Sequence, residues 1–431
     1  RYHQTSIRTA KRHASGHWRS EEHTFNTPYG TGYFMANIAN PNLKWEASEQ
    51  YNVGVDMEFL RGRISLTIDA YYKRSKDLLL RMTIPNYLGG STTYDDIAAP
   101  MVNMGRTSNR GFDLNITTHN IEHQKFNWTS NLVISLNRNN VDAMNSDSSV
   151  INGNIDWWSG FQTATRIMVG QPMGVFYGYV AEGLFQNEEE ILAAPVQVND
   201  ANNPGVNLVN KTTGVYPGDI RFKDISGPDG TPDGKIDSYD KTVIGNALPL
   251  GTGGFSLTGY LYGFDFAANF NYVFGNDIYN ANKVEFSHSR KYYRRNLLKS
   301  MSTDKRWTNV DWNTGELITD AAVLNEVNAG TTMWSPAVGN AVFTDWAVED
   351  GSFLRLSSAT IGYTLPEKIT MKARIQRLRF YVSGTNLFCV TKYSGYDPEV
   401  DTRRATPLTP GVDYSAYPKS IGFVVGLNLT F

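Results

Sequence analysis

The stretch Ser420–Phe431, SIGFVVGLNLTF, alternates almost without a fault and ends on a phenylalanine. Ile421, Phe423, Val425, Leu427, Leu429 and Phe431 share one face, while Ser420, Gly422, Gly426, Asn428 and Thr430 share the other with Val424. A period of two over this length is a β-strand with one apolar and one wet side. A soluble sandwich can show such a strand, and so can an outer-membrane barrel, lipid-facing on one side and lumen-facing on the other. With no linker after it, the pattern favours the closing strand of a barrel.

The same alternation recurs upstream in pairs. Val53, Val55, Met57 and Phe59 lead through a turn at Arg61 and Gly62 to Ile64, Leu66, Ile68, Ala70 and Tyr72. Two alternating runs around a tight turn are a hairpin. A second joins Phe112, Leu114 and Ile116 to Phe126, Trp128, Ser130, Leu132, Ile134 and Leu136 through residues 120–124. A third joins Phe255, Leu257 and Gly259 to Phe264, Phe266, Ala268, Phe270, Tyr272 and Phe274, and a fourth joins 354–365 to 378–390. With the terminal strand this makes nine. Their opposite faces carry Asp56, Glu58, Asp69, Lys73, Asp113 and Asn271, which suits a hydrated lumen better than a dry core.

Short turns at 60–63, 119–125, 262–263 and 366–374 alternate with long loops at 76–109, 138–251, 275–351 and 391–419. Outer-membrane barrels keep short periplasmic turns and long external loops. The C-terminus and all four short turns fall on one side, expected to be the periplasm.

Composition agrees. The 431 residues are 41% hydrophobic and 13% aromatic, with a net charge of −2. No run approaches the ~18 to 20 apolar residues of a membrane helix, so any crossing is made by a closed sheet. Near-neutral charge gives no argument for nucleic acid. Cys389 stands alone, which excludes an internal disulfide. Arg1 opens neither with methionine nor with a signal peptide, so the chain is expected to be the C-terminal part of something longer.

At this point the residues resemble a family. NPNLKWE (Asn40–Glu46) and YYKRSKDLLL (Tyr71–Leu80) are similar to the barrel of SusC/RagA-type TonB-dependent outer-membrane transporters. The likeness continues through VGQPMGVFYGYVAEGLFQNEEEI (Val169–Ile191), PGDIRFKDISGPDG (Pro217–Gly230), GNDIYN (Gly275–Asn280), DGSFLRLSSATIGYTLP (Asp350–Pro366) and GTNLFCVTKYSGYDPEV (Gly384–Val400). Each motif alone is weak, but the ordered set is specific. The resemblance implies an all-β chain forming part of a barrel of about twenty-two antiparallel strands. Residues 1–48 would hold an upstream strand and loop, and 49–431 the C-terminal part of the barrel with its extracellular loops. The carboxypeptidase-like domain, TonB-contacting segment and plug of such transporters are absent, so the missing strands are expected on residues not shown or on another chain. Implied partners are a SusD-like lipoprotein lid, the TonB complex acting through that missing part, and membrane lipid.

One loop suggests metal chemistry. DGTPDGKIDSYD (Asp229–Asp240) places oxygen donors at positions 1, 3, 5, 9 and 12 of twelve, with Gly234 at position 6. Calcium takes several oxygens at once, and the glycine permits the sharp turn between them. The expected ligands are Asp229, Thr231, Asp233, the Lys235 carbonyl, Asp237 and Asp240, holding a structural ion. The bland alternative is an Asp/Gly-rich turn region without metal.

Trp157 and Trp158 are candidate substrate contacts, since aromatic faces stack on sugar rings or peptide side chains. They share the long loops with Trp307, Trp312, Trp334 and Trp346, and packing the loops together is an equal reading. His3, His13, His17 and His23 crowd the N-terminal region without the apolar periodicity that would make His13 and His17 a helical metal pair. Tyr393, Tyr396 and Asp397 match the family's motif without a derivable role. Nothing resembles a nucleophile beside an oriented base, so no enzyme is expected. Import of an oligosaccharide or peptide, which the resemblance implies, leads ahead of a barrel enzyme or adhesin and of a soluble carbohydrate-binding sandwich.

Overall fold

The computed structural model describes residues 17–21, 32–82, 100–146, 149–153, 164–288, 296–336, 343–399 and 408–431. Its dominant element is one nine-stranded antiparallel sheet. The strands are β1 (Ala47–Phe59), β2 (Ile64–Arg81), β3 (Met101–His123), β4 (Phe126–Ala143), β5 (Gly251–Leu261), β6 (Phe264–Phe274), β7 (Phe353–Thr364), β8 (Arg377–Thr391) and β9 (Gly422–Thr430). Each pairs with its neighbours in sequence, so the sheet is an up-and-down meander with β1 and β9 at its edges.

Register carries the period-two pattern across the whole sheet. One row runs Val53, Ala70, Phe112, Leu136, Gly251, Phe274 through β1 to β6. Another runs Phe266, Ile361, Val382, Val425 through β6 to β9. The opposite face has rows such as Glu58, Ser65, Thr117, Asn131, Ser256, Asn269, Ser358, Thr385. A one-residue slip anywhere would mix the two faces, so the alternation itself fixes the register.

The apolar face is open to its surroundings: Val53 is 72% exposed, Ile361 63% and Val425 79%. A soluble domain would bury this face against a second layer. Aromatic residues mark both margins, with Trp128, Phe264 and Phe380 toward the short turns and Tyr51, Tyr72 and Phe112 toward the long loops. An outward apolar band between aromatic girdles is the wall of a transmembrane barrel.

Side-chain size is matched across strands on the polar face. Gly111 lies beneath the Tyr71 ring, where a Cβ would come within 2.2 Å, and Tyr71 donates to Asn137 Oδ1 at 3.2 Å. Tight turns close the hairpins. Tyr262 and Gly263 take φ of 46° and 95°, as a two-residue turn matching strand twist requires.

The buried core lies in the long loops rather than in the sheet. The described residues within 144–250, 275–352 and 392–421 contribute to a shared cap. A four-stranded sheet joins Val150–Gly153, Thr165–Met168, Val175–Gly178 and Thr242–Asn246. Asp277–Asn280 pairs with Val348–Asp350 and, in parallel, with Val412–Asp413. Phe176, Tyr279, Val284, Phe343 and Val412 pack between the three loops, with the Tyr279 and Phe343 rings 4.3 Å apart. A second cluster contains Ile220, Met301, Met333 and Trp334, and a third contains Phe185, Ile191 and Val215. Upstream, His17–Glu21 and Gly32–Asn37 pair as a separate two-stranded sheet.

Candidate functional site

The site with most chemistry is the polar wall of the sheet where the cap loops meet it. Near the short turns, Asp265 is gripped by the Arg379 guanidinium, with Nε donating to Oδ1 at 2.8 Å. Toward the cap, Arg355 on β7 is 95% buried and donates through Nη2 to Asp397 Oδ1 at 2.6 Å. Its Nε lies 2.7 Å from Glu399 Oε2, off the line of the N–H, and Glu399 also meets Lys419 at 2.5 Å. Lys419 N–H donates to Asp397 Oδ2 at 3.3 Å, and Asn271 Nδ2 reaches Glu399 Oε1 at 3.5 Å. This network ties the last long loop to the wall. Asp397 therefore holds a loop in place, and its partner Arg355, the one charged residue of β7, is the role the sequence reading missed.

Beside it, Tyr393 donates from its hydroxyl to Asp413 Oδ2 at 2.6 Å, joining the start of that loop to the strand crossing Asn280. Burial raises the Asp413 carboxyl above the usual carboxylate range. Burial, then the bond to Asp413, also raises the Tyr393 hydroxyl. Tyr396 stays exposed.

The oxygen-rich loop is held together by its own backbone. Asp240 is fully buried; Oδ1 accepts from Ile225 and Ser226 N–H at 2.8 and 3.2 Å, and Oδ2 accepts from Asp237 N–H at 2.7 Å. Asp237 accepts from Tyr239 N–H at 2.7 Å, which makes the pair a capping box for the turn Ser238–Asp240. Asp233 accepts from Lys235 N–H at 3.0 Å, while Asp229 and Thr231 are exposed. Asp224, outside the expected set, accepts from Gly234 N–H through Oδ2 at 2.7 Å, and its Oδ1 is buried without a hydrogen-bond partner. Among the described residues no three His, Cys, Asp or Glu side chains are grouped so as to hold a metal ion.

Among the described residues, three of the four loop tryptophans pack inside the cap. Trp307 is buried against Gly218, where φ is +93° and a Cβ would come within 2.3 Å of the indole. Trp334 packs edge-on against Trp346 at 4.4 Å, and Lys283 Nζ sits 4.2 Å from the Trp346 ring. Trp312 is exposed, with the Arg306 guanidinium 5.3 Å from its ring. Trp157 and Trp158 lie outside the described residues, as do His3, His13 and His23; His17 begins the short strand His17–Glu21.

Asp219, in the turn after Pro217, accepts from Tyr216 N–H at 2.8 Å, but burial pushes its carboxyl up to about 6. Burial likewise lowers His288, whose ring lies 5.7 Å from that of Trp334.

Comparison with known proteins places this architecture. The family described as TonB dependent receptor-like, beta-barrel matches residues 20–239. Among curated relatives, TonB-dependent receptor P39 of Formosa agariphila is 31% identical over 93% of this chain and 37% of its own length. TonB-dependent receptor SusC of Bacteroides thetaiotaomicron is 26% identical over 94% of this chain and 34% of its own. The solved RagAB peptide transporter superposes with a TM-score of 0.67 at 20% identity, covering 97% of this chain and 39% of the matched one. The chain thus spans a little over a third of the length of these relatives. The apolar outward band, the meander, the folded loops and these matches converge, and the chain belongs to the TonB-dependent receptor β-barrel family, on its SusC/RagA-type branch.

Proposed function

We propose that this chain forms the C-terminal part of the barrel of an importer that moves an oligosaccharide or peptide across the outer membrane. TonB supplies the energy, and a SusD-like lipoprotein covers the cap. The observation that carries this reading is the family match over a wall polar on one face and apolar on the other. A polar wall lets a hydrated solute pass, and a folded cap anchored by Arg355 gives a surface on which solute and lid can be positioned. The structurally similar RagAB is a peptide transporter, which keeps peptide beside glycan as cargo. In this orientation the short turns and the C-terminus face the periplasm.

Calcium belongs to the same proposal. The twelve-residue spacing supports it, and so does Asp224, whose buried Oδ1 has no donor. A cation here would draw on Asp224, Asp233 and the Lys235 carbonyl and would staple the cap.

The test is uptake of labelled oligosaccharides and peptides by cells with and without this protein, each with TonB intact or disabled. Saturable uptake of one cargo class that needs both is the expected result. Uptake that persists without TonB contradicts the reading.

A further inference from the structure

Just beyond the apolar band, the lipid-facing side of β2, β3 and β4 turns abruptly basic. The last apolar row is Val53, Ala70, Phe112, Leu136, and the next row toward the cap is Tyr51, Tyr72, Arg110, Arg138. After it comes Glu49, Arg74, Ser108, Asn140, and Lys76 and Arg106 stand two residues further along their strands, where a bulge interrupts the β2–β3 and β3–β4 pairing. Ile64 to Tyr72 spans eight residues, or about 27 Å along the strand and roughly 20 Å of depth at a barrel's tilt. An outward band is ~25 Å tall, so the arginines stand at headgroup level on the cap side.

Two carboxylates share this region. Glu49 pairs with Lys76, and Asp142 accepts from Ser108 Oγ at 2.8 Å and Asn140 Nδ2 at 2.7 Å. Among the described residues no ion pair is made by Arg74, Arg106, Arg110 or Arg138, and the Nε atoms of Arg74 and Arg106 are buried without a hydrogen-bond partner. Arg110 and Arg138 are exposed and stand directly opposite each other in register. Like charges in that relation destabilise a sheet. A bridging anion reverses the sign, and guanidinium groups bind phosphate oxygens in pairs.

We propose that Arg74, Arg106, Arg110 and Arg138 form a docking site for the phosphate of an anionic glycolipid in the outer leaflet. The bound headgroup neutralises the Arg110–Arg138 pair, and its acyl chains lie along the apolar rows below. This depends only on the barrel's placement in the membrane and is independent of the cargo.

The experiment takes the protein purified from outer membranes in mild detergent and measures binding by native mass spectrometry and by the shift in thermal midpoint. The probes are a bisphosphorylated lipid A, its dephosphorylated form and inorganic phosphate. The unaltered protein should bind the phosphorylated lipid and be stabilised by it, with little response to the other two. At ~1 kcal/mol per basic residue, the triple variant R74Q/R110Q/R138Q should bind on the order of a hundredfold more weakly. The charge-keeping variant R110K/R138K should lose less, and heat-resistant migration on gels would show that both fold. Equal affinity of the triple variant, or equal binding of dephosphorylated lipid, would overturn the proposal. So would a response to inorganic phosphate alone, or loss of a co-purifying protein from the variant in place of lipid.

Discussion

Single residues show how environment sets chemistry in the cap and on the wall. Asp219 titrates at about 6 in the fold against an ordinary 3.8 because burial penalises its charge. The folded state then binds this proton more tightly than the unfolded one, so the stability that Asp219 contributes is greatest below pH ~4, falls as pH rises toward about 6 and levels off above. The difference corresponds to no more than ~3 kcal/mol. D219N keeps an acceptor for Tyr216 and removes the charge. It should stabilise the cap by about 1 to 2 kcal/mol at neutral pH and flatten this dependence, read from amide exchange in residues 215–222 between pH 4 and 8. In the oxygen-rich loop, D224N/D233N should abolish calcium-dependent protection of residues 217–245 from protease, whereas D229N should leave it intact because Asp229 is exposed. Protection by calcium that is lost in D229N would favour the ligand set read from spacing over one that includes Asp224.

At the scale of strands and loops, the two faces of the sheet make opposite demands. Leu132 and Phe270 lie on the apolar face, and Asn131 and Asn271 on the polar one. L132R or F270R should cost ~2 to 4 kcal/mol near the bilayer midplane. N131S should cost much less, because its amide bonds to Asn115 and Thr117 lie on the lumen side, where water can replace them. Urea titration of the barrel in lipid vesicles would measure both, and equal costs would remove the basis for assigning the faces. All nine strands were legible in the sequence because their alternation is local and each hairpin closes within a few residues. Strand lengths were not: β2 and β3 run 18 and 23 residues, past the apolar band and into what reads as loop. The cap was illegible for another reason. Phe176, Tyr279 and Val412 come from three loops, and nothing periodic in any one of them announces the others. The same gap left the tryptophans undecided, and Trp307, Trp334 and Trp346 are packing residues. Asp224, which the calcium proposal adds, lies five residues before the twelve-residue window.

At the scale of the molecule, stability is divided between two solvents. Lipid takes the apolar face of the sheet, while the cap folds in water around its own buried clusters. Arg355 joins the two parts, since removing one partner from a buried charge network leaves the others uncompensated. Strands β1 and β9 are the open edges of the nine-stranded sheet, and unpaired backbone groups in hydrocarbon cost several kcal/mol each, so both edges are expected to be paired in the membrane.

The central claim is that this sheet crosses the outer membrane with its cap outside and its short turns inside. Site-directed labelling tests it most directly: Cys389 is replaced by serine, and one cysteine is introduced at Lys211 in the cap or at Gln124 in a short turn, both exposed. A membrane-impermeant maleimide should label K211C in intact cells and Q124C only after the outer membrane is permeabilised. Labelling of both positions in intact cells, or of Q124C alone, would contradict the account.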